Sequence, residues 1–329
     1  MKRFELNYYL DGLKAQNNVA LAKAITLVES KRKEDQIIAN ELLDRIVESR
    51  LSSVRIGITG TPGVGKSSFI EGFGNNLIEQ GKKVAVLAID PSSQKTGGSI
   101  LGDKTRMEYL SRNPHAFIRP SASGNALGGV NNRTREAVLL CEAAGYDVII
   151  VETVGVGQSE TLVNNMVDFF LLMIQPGSGD DLQGIKKGIM EMAHGIVINK
   201  SDGDQAKLAK QSKKDLLSAM HLFAASDTGW STKVELCSAL EKSGFDSVWQ
   251  MIQSFTEEMT SNGLFDQNRT NQNVSWFEER VQLGILMELT GKSKLNTLQS
   301  ELKLKVQQNK MSVTKATTQM LKVIKQQLA

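Results

Sequence analysis

Short runs of β-branched and apolar residues alternate with helical periodicity through the middle of this chain, and purely helical patterns flank them. The runs are Arg55–Thr59, Lys83–Asp90, Ala116–Arg119, Asp147–Glu152, Asp168–Gln175, Gly195–Asn199 and Lys233–Ser238. Near-continuous apolar runs separated by helices are the pattern of strands buried on both faces. From about Val54 to Val248 the pattern therefore predicts an α/β fold, a mostly parallel central sheet covered by helices on both faces. Before position 52, Leu21, Ile25 and Val28, then Ile38, Leu42 and Ile46, recur at helical spacing. The charge run Lys31–Asp35 between them reads as a solvated turn. After about Asn273 strand signals stop. Trp276–Leu289, Leu295–Gln308 and Val313–Leu328 are predicted helices rich in Lys and Gln, punctuated by Gly291 and Asn309–Ser312. The expected division is an N-terminal helical extension over 1–52, a nucleotide-binding domain over 53–264 and a helical extension over 265–329. Three helices outside a sheet need a surface to pack on, either their own domain or a second subunit.

Composition narrows the function. With 39 basic and 36 acidic residues the net charge is only +3, which gives no electrostatic case for nucleic acid or a charged membrane surface. Cys141 and Cys237 are too few and too far apart for a disulfide framework and suit a reducing compartment. The N-terminus, Met1–Tyr9, lacks the apolar run of a signal peptide and carries an acidic residue early, unlike a transit peptide. The longest apolar stretch, Phe169–Ile174, is far too short to span a bilayer. The expectation is a soluble cytoplasmic protein. His115, His194 and His221 are isolated, and neither cysteine has a second ligand at zinc or nickel spacing. No Ser-His-Asp or Cys-His arrangement is supported.

The chemistry sits at the strand ends. Gly60-Thr61-Pro62-Gly63-Val64-Gly65-Lys66-Ser67 follows a predicted strand and precedes a predicted helix beginning near Ser68. Strand, glycine-rich turn and helix form the context a phosphate-binding loop requires. Glycines let successive N–H groups point at phosphate oxygens, and the helix N-terminus adds partial positive charge. Lys66 can reach the β- and γ-phosphates, and Ser67 can ligate Mg²⁺. Asn199-Lys200-Ser201-Asp202 after the Gly195 strand reads guanine. Asp202 can accept from guanine N1–H and the exocyclic amine, Lys200 lies along the base plane and Asn199 braces the loop. Adenine would leave the carboxylate unpaired. A second loop touching the base is expected at Ser238-Ala239-Leu240.

Three further segments flank the phosphates. Glu152 closes a strand three residues before Gly155, where many GTPases carry an aspartate. It can hold Mg²⁺ through water or orient the attacking water, and Gly155 can pivot beside the γ-phosphate. Asp90 closes its own strand beside the phosphate loop, placed to pair with Lys66 or the metal shell. The glycine- and charge-rich Gly97–Arg106 has the character of a mobile switch. Spacing alone leaves Asp103 equally a metal-shell residue or an ordinary surface-loop residue. Pro176–Gly188, with Asp180 and Lys186, is a third glycine-rich segment that reads on residues alone as no more than a flexible loop.

Taken together, the segments GTPGVGKSSFIE, AIDPSSQKTGGSILGDKTRM, FIRPSASGNALGGV, VIIVETVGVGQSE, QGIKKGIMEMA and VINKSDGD resemble the methylmalonyl-CoA mutase-associated GTPases, the MeaB, ArgK or MMAA proteins. The match runs from about Leu51 to Leu264. The resemblance implies a P-loop GTPase using GTP/GDP and Mg²⁺. Its implied role is a chaperone of an adenosylcobalamin-dependent acyl-CoA mutase, which gates cofactor delivery and protects or reactivates the mutase. The mutase's adenosyltransferase is a further implied partner. It carries phosphate and metal roles to Lys66, Ser67, Asp90, Asp103 and Glu152, makes Asp180 and Lys186 part of a third switch, and implies a homodimer through the C-terminal extension. Two departures stand out: Asp181 where the family carries glutamate, and His194-Gly195 where it commonly carries an aspartate. Two other functions fit parts of the pattern: a protein kinase of a basic amino-acid transport system, and a metallochaperone GTPase.

Overall fold

Three helices lead the chain: α1 (Leu6–Lys14), α2 (Asn18–Glu29) and α3 (Lys33–Val47). Asn17 caps α2, its Oδ1 accepting from the N–H groups of Val19 and Ala20 at 2.9 and 3.0 Å. The turn expected over Lys31–Asp35 is shorter than its charges suggest. α3 begins at Lys33, with Glu34 and Asp35 in its first turn, where the helix N-terminus favours carboxylates.

The remaining elements are β1 (Val54–Gly60), α4 (Lys66–Glu79), β2 (Val84–Ile89), α5 (Glu108–Arg112), β3 (Ala116–Ser121), α6 (Thr134–Ala143), β4 (Val148–Thr153) and α7 (Glu160–Asn164). They continue with β5 (Phe169–Ile174), α8 (Lys187–Met192), β6 (Gly195–Ile198), α9 (Ala206–Met220), β7 (Lys233–Leu236), α10 (Phe245–Ser261), α11 (Leu264–Thr290), α12 (Ser293–Gln307) and α13 (Val313–Leu328). The structure, a computed structural model, describes residues 4–47, 52–89, 107–121, 133–153, 160–177, 187–220, 228–290 and 293–328.

All seven predicted strands join one sheet in the order β3-β2-β4-β1-β5-β6-β7, and every strand pairing is parallel. Strand β5 explains why the sheet is covered twice. Its Phe169, Leu171 and Met173 enter one core with Phe69, Ile70 and Phe73 of α4 and Ile252 of α10. Its Phe170, Leu172 and Ile174 enter the opposite core, which also holds Leu21 and Ile25 of α2, Leu42 of α3 and Leu140 of α6. With side chains alternating faces, an unbroken apolar run needs cover on both. The leading helices are tied to this layer by polar contacts as well. Tyr146 Oη donates to Asn18 Oδ1 at 2.6 Å, and Arg119 pairs with Glu29 at 2.6 Å.

The chain forms two units, Met1–Gln267 and Asn268–Ala329. The first contains the sheet. In the second, α12 and α13 form a helical hairpin with Leu295, Leu302 and Ala316 buried. The first C-terminal helix starts well before the expected Trp276: α11 runs 27 residues from Leu264. The stretch Asp266–Asn273 is polar all round, so apolar periodicity cannot reveal it. It nevertheless contains neither Gly nor Pro to stop a helix begun just after Gly263. Among the described residues no helix is long and apolar enough to cross a membrane.

Candidate functional site

Strand order places β1 at the middle of the sheet, flanked by β4 and β5. The carboxyl ends of β1, β4, β5, β6 and β7 therefore lie along one edge of the sheet, where ligands bind in open parallel sheets. The turn between β1 and α4 adopts the backbone that its glycines allow. Gly63 and Gly65 take φ of 79° and 92°, a region costly for other residues. A Cβ on Gly60 would sit 2.4 Å from the Met173 carbonyl oxygen, so glycine is required there by contact. Val64 is buried, whereas Ser68 faces solvent in the first turn of α4.

Lys66 lies back across this loop, its Nζ donating to the carbonyls of Gly60 at 2.8 Å and Thr61 at 3.3 Å. Burial pulls the Lys66 pKa below the ordinary lysine value, while the carboxylates of Glu152 and Glu160 oppose that shift. Ser67 Oγ donates to Glu152 Oε1 at 3.1 Å. Glu152 sits at the end of β4 and is only 6% exposed. The strand ends that carry these groups are joined from within: Thr153 Oγ1 donates to Thr59 Oγ1 at 3.0 Å. One cation, one hydroxyl and one buried carboxylate thus meet where a helix N-terminus begins. Hydroxyl and carboxylate oxygens are the hard donors that Mg²⁺ takes, and a Mg²⁺–nucleotide site needs few protein ligands because phosphates and waters supply the rest. Ser67 and Glu152 fit that donor set. Among the described residues no group of three or more His, Cys, Asp or Glu is placed to hold a metal by itself.

The loop after β6 is clamped to the phosphate loop. Asn199, fully buried, donates through Nδ2 to the Val64 carbonyl at 2.8 Å and accepts through Oδ1 from the Ala239 N–H at 3.1 Å. Lys200 adopts φ of 58° and sends Nζ to the Gly63 carbonyl at 2.9 Å and to Gln175 Oε1 at 3.2 Å. Asp202 accepts a hydrogen bond from Ser238 Oγ, and Ser201 N donates to the Cys237 carbonyl at 3.1 Å. Ser238 and Ala239 therefore touch the Asn199–Asp202 loop, while the Leu240 side chain is 83% exposed. Asp90, Asp103, Gly155, Asp180 and Lys186 lie outside the described residues.

A family model described as methylmalonyl-CoA mutase-associated GTPase MeaB matches residues 21–294. The chain belongs to the MeaB family. It is accordingly a GTPase. Two relatives extend the match: it is 54% identical over 270 residues to a putative GTPase of Caulobacter vibrioides, covering 82% of each chain. It is 47% identical over 315 residues to the GTPase ArgK of Escherichia coli, covering 96% of this chain and 95% of that one. Among solved structures it superposes with a TM-score of 0.76 on the crystal structure of an LAO/AO transport system kinase, at 39% identity and 99% coverage of both chains.

Two polar residues beside the phosphate and Asn199–Asp202 loops escape a reading by motif. Glu160 opens α7, is 1% exposed, and acts on the Lys66 ammonium. Its signal was present in the segment VETVGVGQSE, but a carboxylate eight residues beyond Glu152 has no fixed spacing to a phosphate loop. Gln175 touches Lys200, and in the sequence it is only the polar residue that ends an apolar run. The departure at His194-Gly195 is a packing feature. His194 Nδ1 accepts from the Phe170 N–H at 3.0 Å, and its ring stacks on Phe255 at 4.6 Å. A Cβ on Gly195 would lie 2.7 Å from the Met251 methyl carbon. Asp181, the other departure, lies outside the described residues.

Proposed function

We propose that this GTPase is a nucleotide switch for an adenosylcobalamin-dependent acyl-CoA mutase, gating cofactor delivery and protecting or reactivating that enzyme. In this role Lys66 and the N–H groups of Gly60 and Gly63–Ser68 hold the phosphates of GTP. Ser67 and Glu152, with Asp90 and Asp103, surround Mg²⁺, which when bound neutralises charge on the β- and γ-phosphates. Asp202 reads the guanine edge, positioned by Ser238, with Lys200 along the base and Asn199, Ala239 and Leu240 shaping the rim. Gly155, Asp180 and Lys186 belong to segments that change with the nucleotide and face the partner. The protein acts in the cytoplasm, where Cys141 and Cys237 stay reduced.

The observation that carries the nucleotide half is the clamp at Asn199, which ties the phosphate loop at Val64 to the guanine-reading loops at Ala239. Such a clamp links phosphate and base recognition in one rigid frame. The mutase half is supported by the description of the matching family model. The homodimer is supported by an exposed apolar stripe on α11. Val274, Phe277, Val281 and Ile285, at helical spacing, are 53%, 67%, 42% and 54% exposed. With it, the helices beyond about residue 264 serve as the dimerisation extension.

Immobilised adenosylcobalamin-dependent acyl-CoA mutases, probed with the full chain in GDP or in a non-hydrolysable GTP analogue, test this directly. Retention that differs between the two nucleotides is expected. No retention in either state would remove the mutase assignment. The LAO/AO transport system kinase among the solved relatives favours a second reading, phosphoryl transfer to a transport protein. γ-Labelled GTP separates the two: the switch releases free phosphate, and a kinase labels a protein.

A further inference from the structure

Strand β5 lies between β1, which feeds the phosphate loop, and β6, which feeds the guanine-reading loop. Its register is fixed on both sides. Met173 stands beside Gly60, and Ile174 stands beside Ile198. The Asn199 N–H also donates to the Ile174 carbonyl at 3.0 Å. The next residue, Gln175, must therefore emerge in the cleft between the two loops. There its Oε1 accepts from Lys200 Nζ at 3.2 Å, while the same ammonium donates to the Gly63 carbonyl at 2.9 Å.

We infer that Gln175 is a positioning residue that holds Lys200 over the phosphate loop and so sets how long a guanine nucleotide stays bound. The inference rests on the guanine reading of Asn199–Asp202 given above. Its physical ground is the donor count of an ammonium. Lys200 has three N–H donors and no acceptor. With the Gly63 carbonyl alone, the long flexible stem would keep several rotamers. A second acceptor, at the end of β5, restricts the stem to the line joining β6 to Gly63. The left-handed backbone of Lys200, φ 58°, is uncommon for a residue with a Cβ and is itself kept in place by such contacts. The peptide beyond Gln175 is also fixed: Gly177 N donates to Ser212 Oγ of α9 at 3.0 Å. Gln175 thus ties the guanine motif to the start of the third glycine-rich segment, a link no motif in the sequence announces.

The test is the dissociation rate of a fluorescent GDP analogue from the full chain, chased with excess GDP. Gln175→Ala removes the acceptor and is expected to speed release about fivefold, the loss of one solvent-accessible bond to a charged donor. Gln175→Glu keeps an acceptor at the same reach and is expected to release no faster than the native chain. In a Lys200→Ala background Gln175→Ala is expected to add nothing, because the two residues act through one contact. A Gln175→Ala rate within twofold of the native rate would overturn the inference. So would Gln175→Glu releasing as fast as Gln175→Ala, or additive effects in the double variant. Failure of the guanine reading shows differently, as a native chain that does not retain the GDP analogue at all.

Discussion

Asn199 is the residue on which the site is most tightly built. Both halves of its amide are committed, one to each neighbouring loop, and a Cβ on Gly65 would come within 2.7 Å of its Nδ2. Asn199→Ala is expected to weaken GDP binding by about tenfold or more, since two bonds are lost, one of them buried, and the Val64 carbonyl keeps no partner from that loop; titration calorimetry measures it. Lys66→Ala removes the cation that lies over the loop. GTP turnover should fall by at least about a hundredfold, and near-normal turnover would remove the phosphate-loop assignment. Asp202→Asn turns an acceptor into a donor and should move preference from GTP towards xanthosine triphosphate, read as a reversal in competition assays. At this scale the sequence was informative wherever a residue type has a fixed spacing to its partner. Lys66, Ser67, Asn199, Asp202 and Ser238 all gather at one carboxyl edge, and Glu152 meets Ser67. Gln175 is not legible because its role depends on strand order, which brings β5 between β1 and β6, and Glu160 because it has no fixed spacing to the phosphate loop.

Among the elements, β5 and β6 show what the pattern of apolar residues can and cannot convey. Their existence and burial follow from composition, and so does the double-sided cover. The neutral state of His194 between them does not. Burial lowers its pKa from the ordinary 6.5 to about 4, with Asp168 opposing. The unfolded chain therefore binds a proton that the folded one refuses between those values. This contribution to stability is complete above about pH 6.5 and is lost as pH falls towards 4, on the order of 3 kcal/mol across the window. Urea unfolding across that range should show the slope, and His194→Gln should flatten it even if its baseline stability is lower. A second element-scale constraint joins β1 to α6. Arg55 makes a bidentate pair with Glu142 at 2.8 and 2.7 Å, and Ser53 Oγ donates to the same carboxylate at 2.5 Å. Glu142→Ala strands a largely buried guanidinium and should cost about 3 kcal/mol in the same urea titration. Neither partner is recognisable in sequence, because 87 residues separate them. Helix α11 is the converse case, a helix with no apolar rhythm in its first turns and hence no sequence signal for its start.

For the molecule as a whole, the net charge of +3 conceals a division. Residues 268–329 carry ten basic and four acidic side chains, leaving 29 basic and 32 acidic in the rest. The sheet-bearing unit is mildly acidic and the helical unit is strongly basic, a contrast legible in the sequence but averaged away by a single total. The α11 stripe makes the assembly testable: Phe277→Asp is expected to convert a dimer to a monomer in sedimentation velocity. The central claim is that the clamped nucleotide site is a switch whose output lies on a mutase. Its most direct test is the rate of GTP hydrolysis by the full chain, measured with and without an adenosylcobalamin-dependent acyl-CoA mutase. No arginine finger can be named in this sequence, so intrinsic turnover should be slow, and the cognate mutase should raise it at least about tenfold with all phosphate released free. A rate unchanged by every such mutase, or γ-phosphate recovered on a protein, would contradict the account.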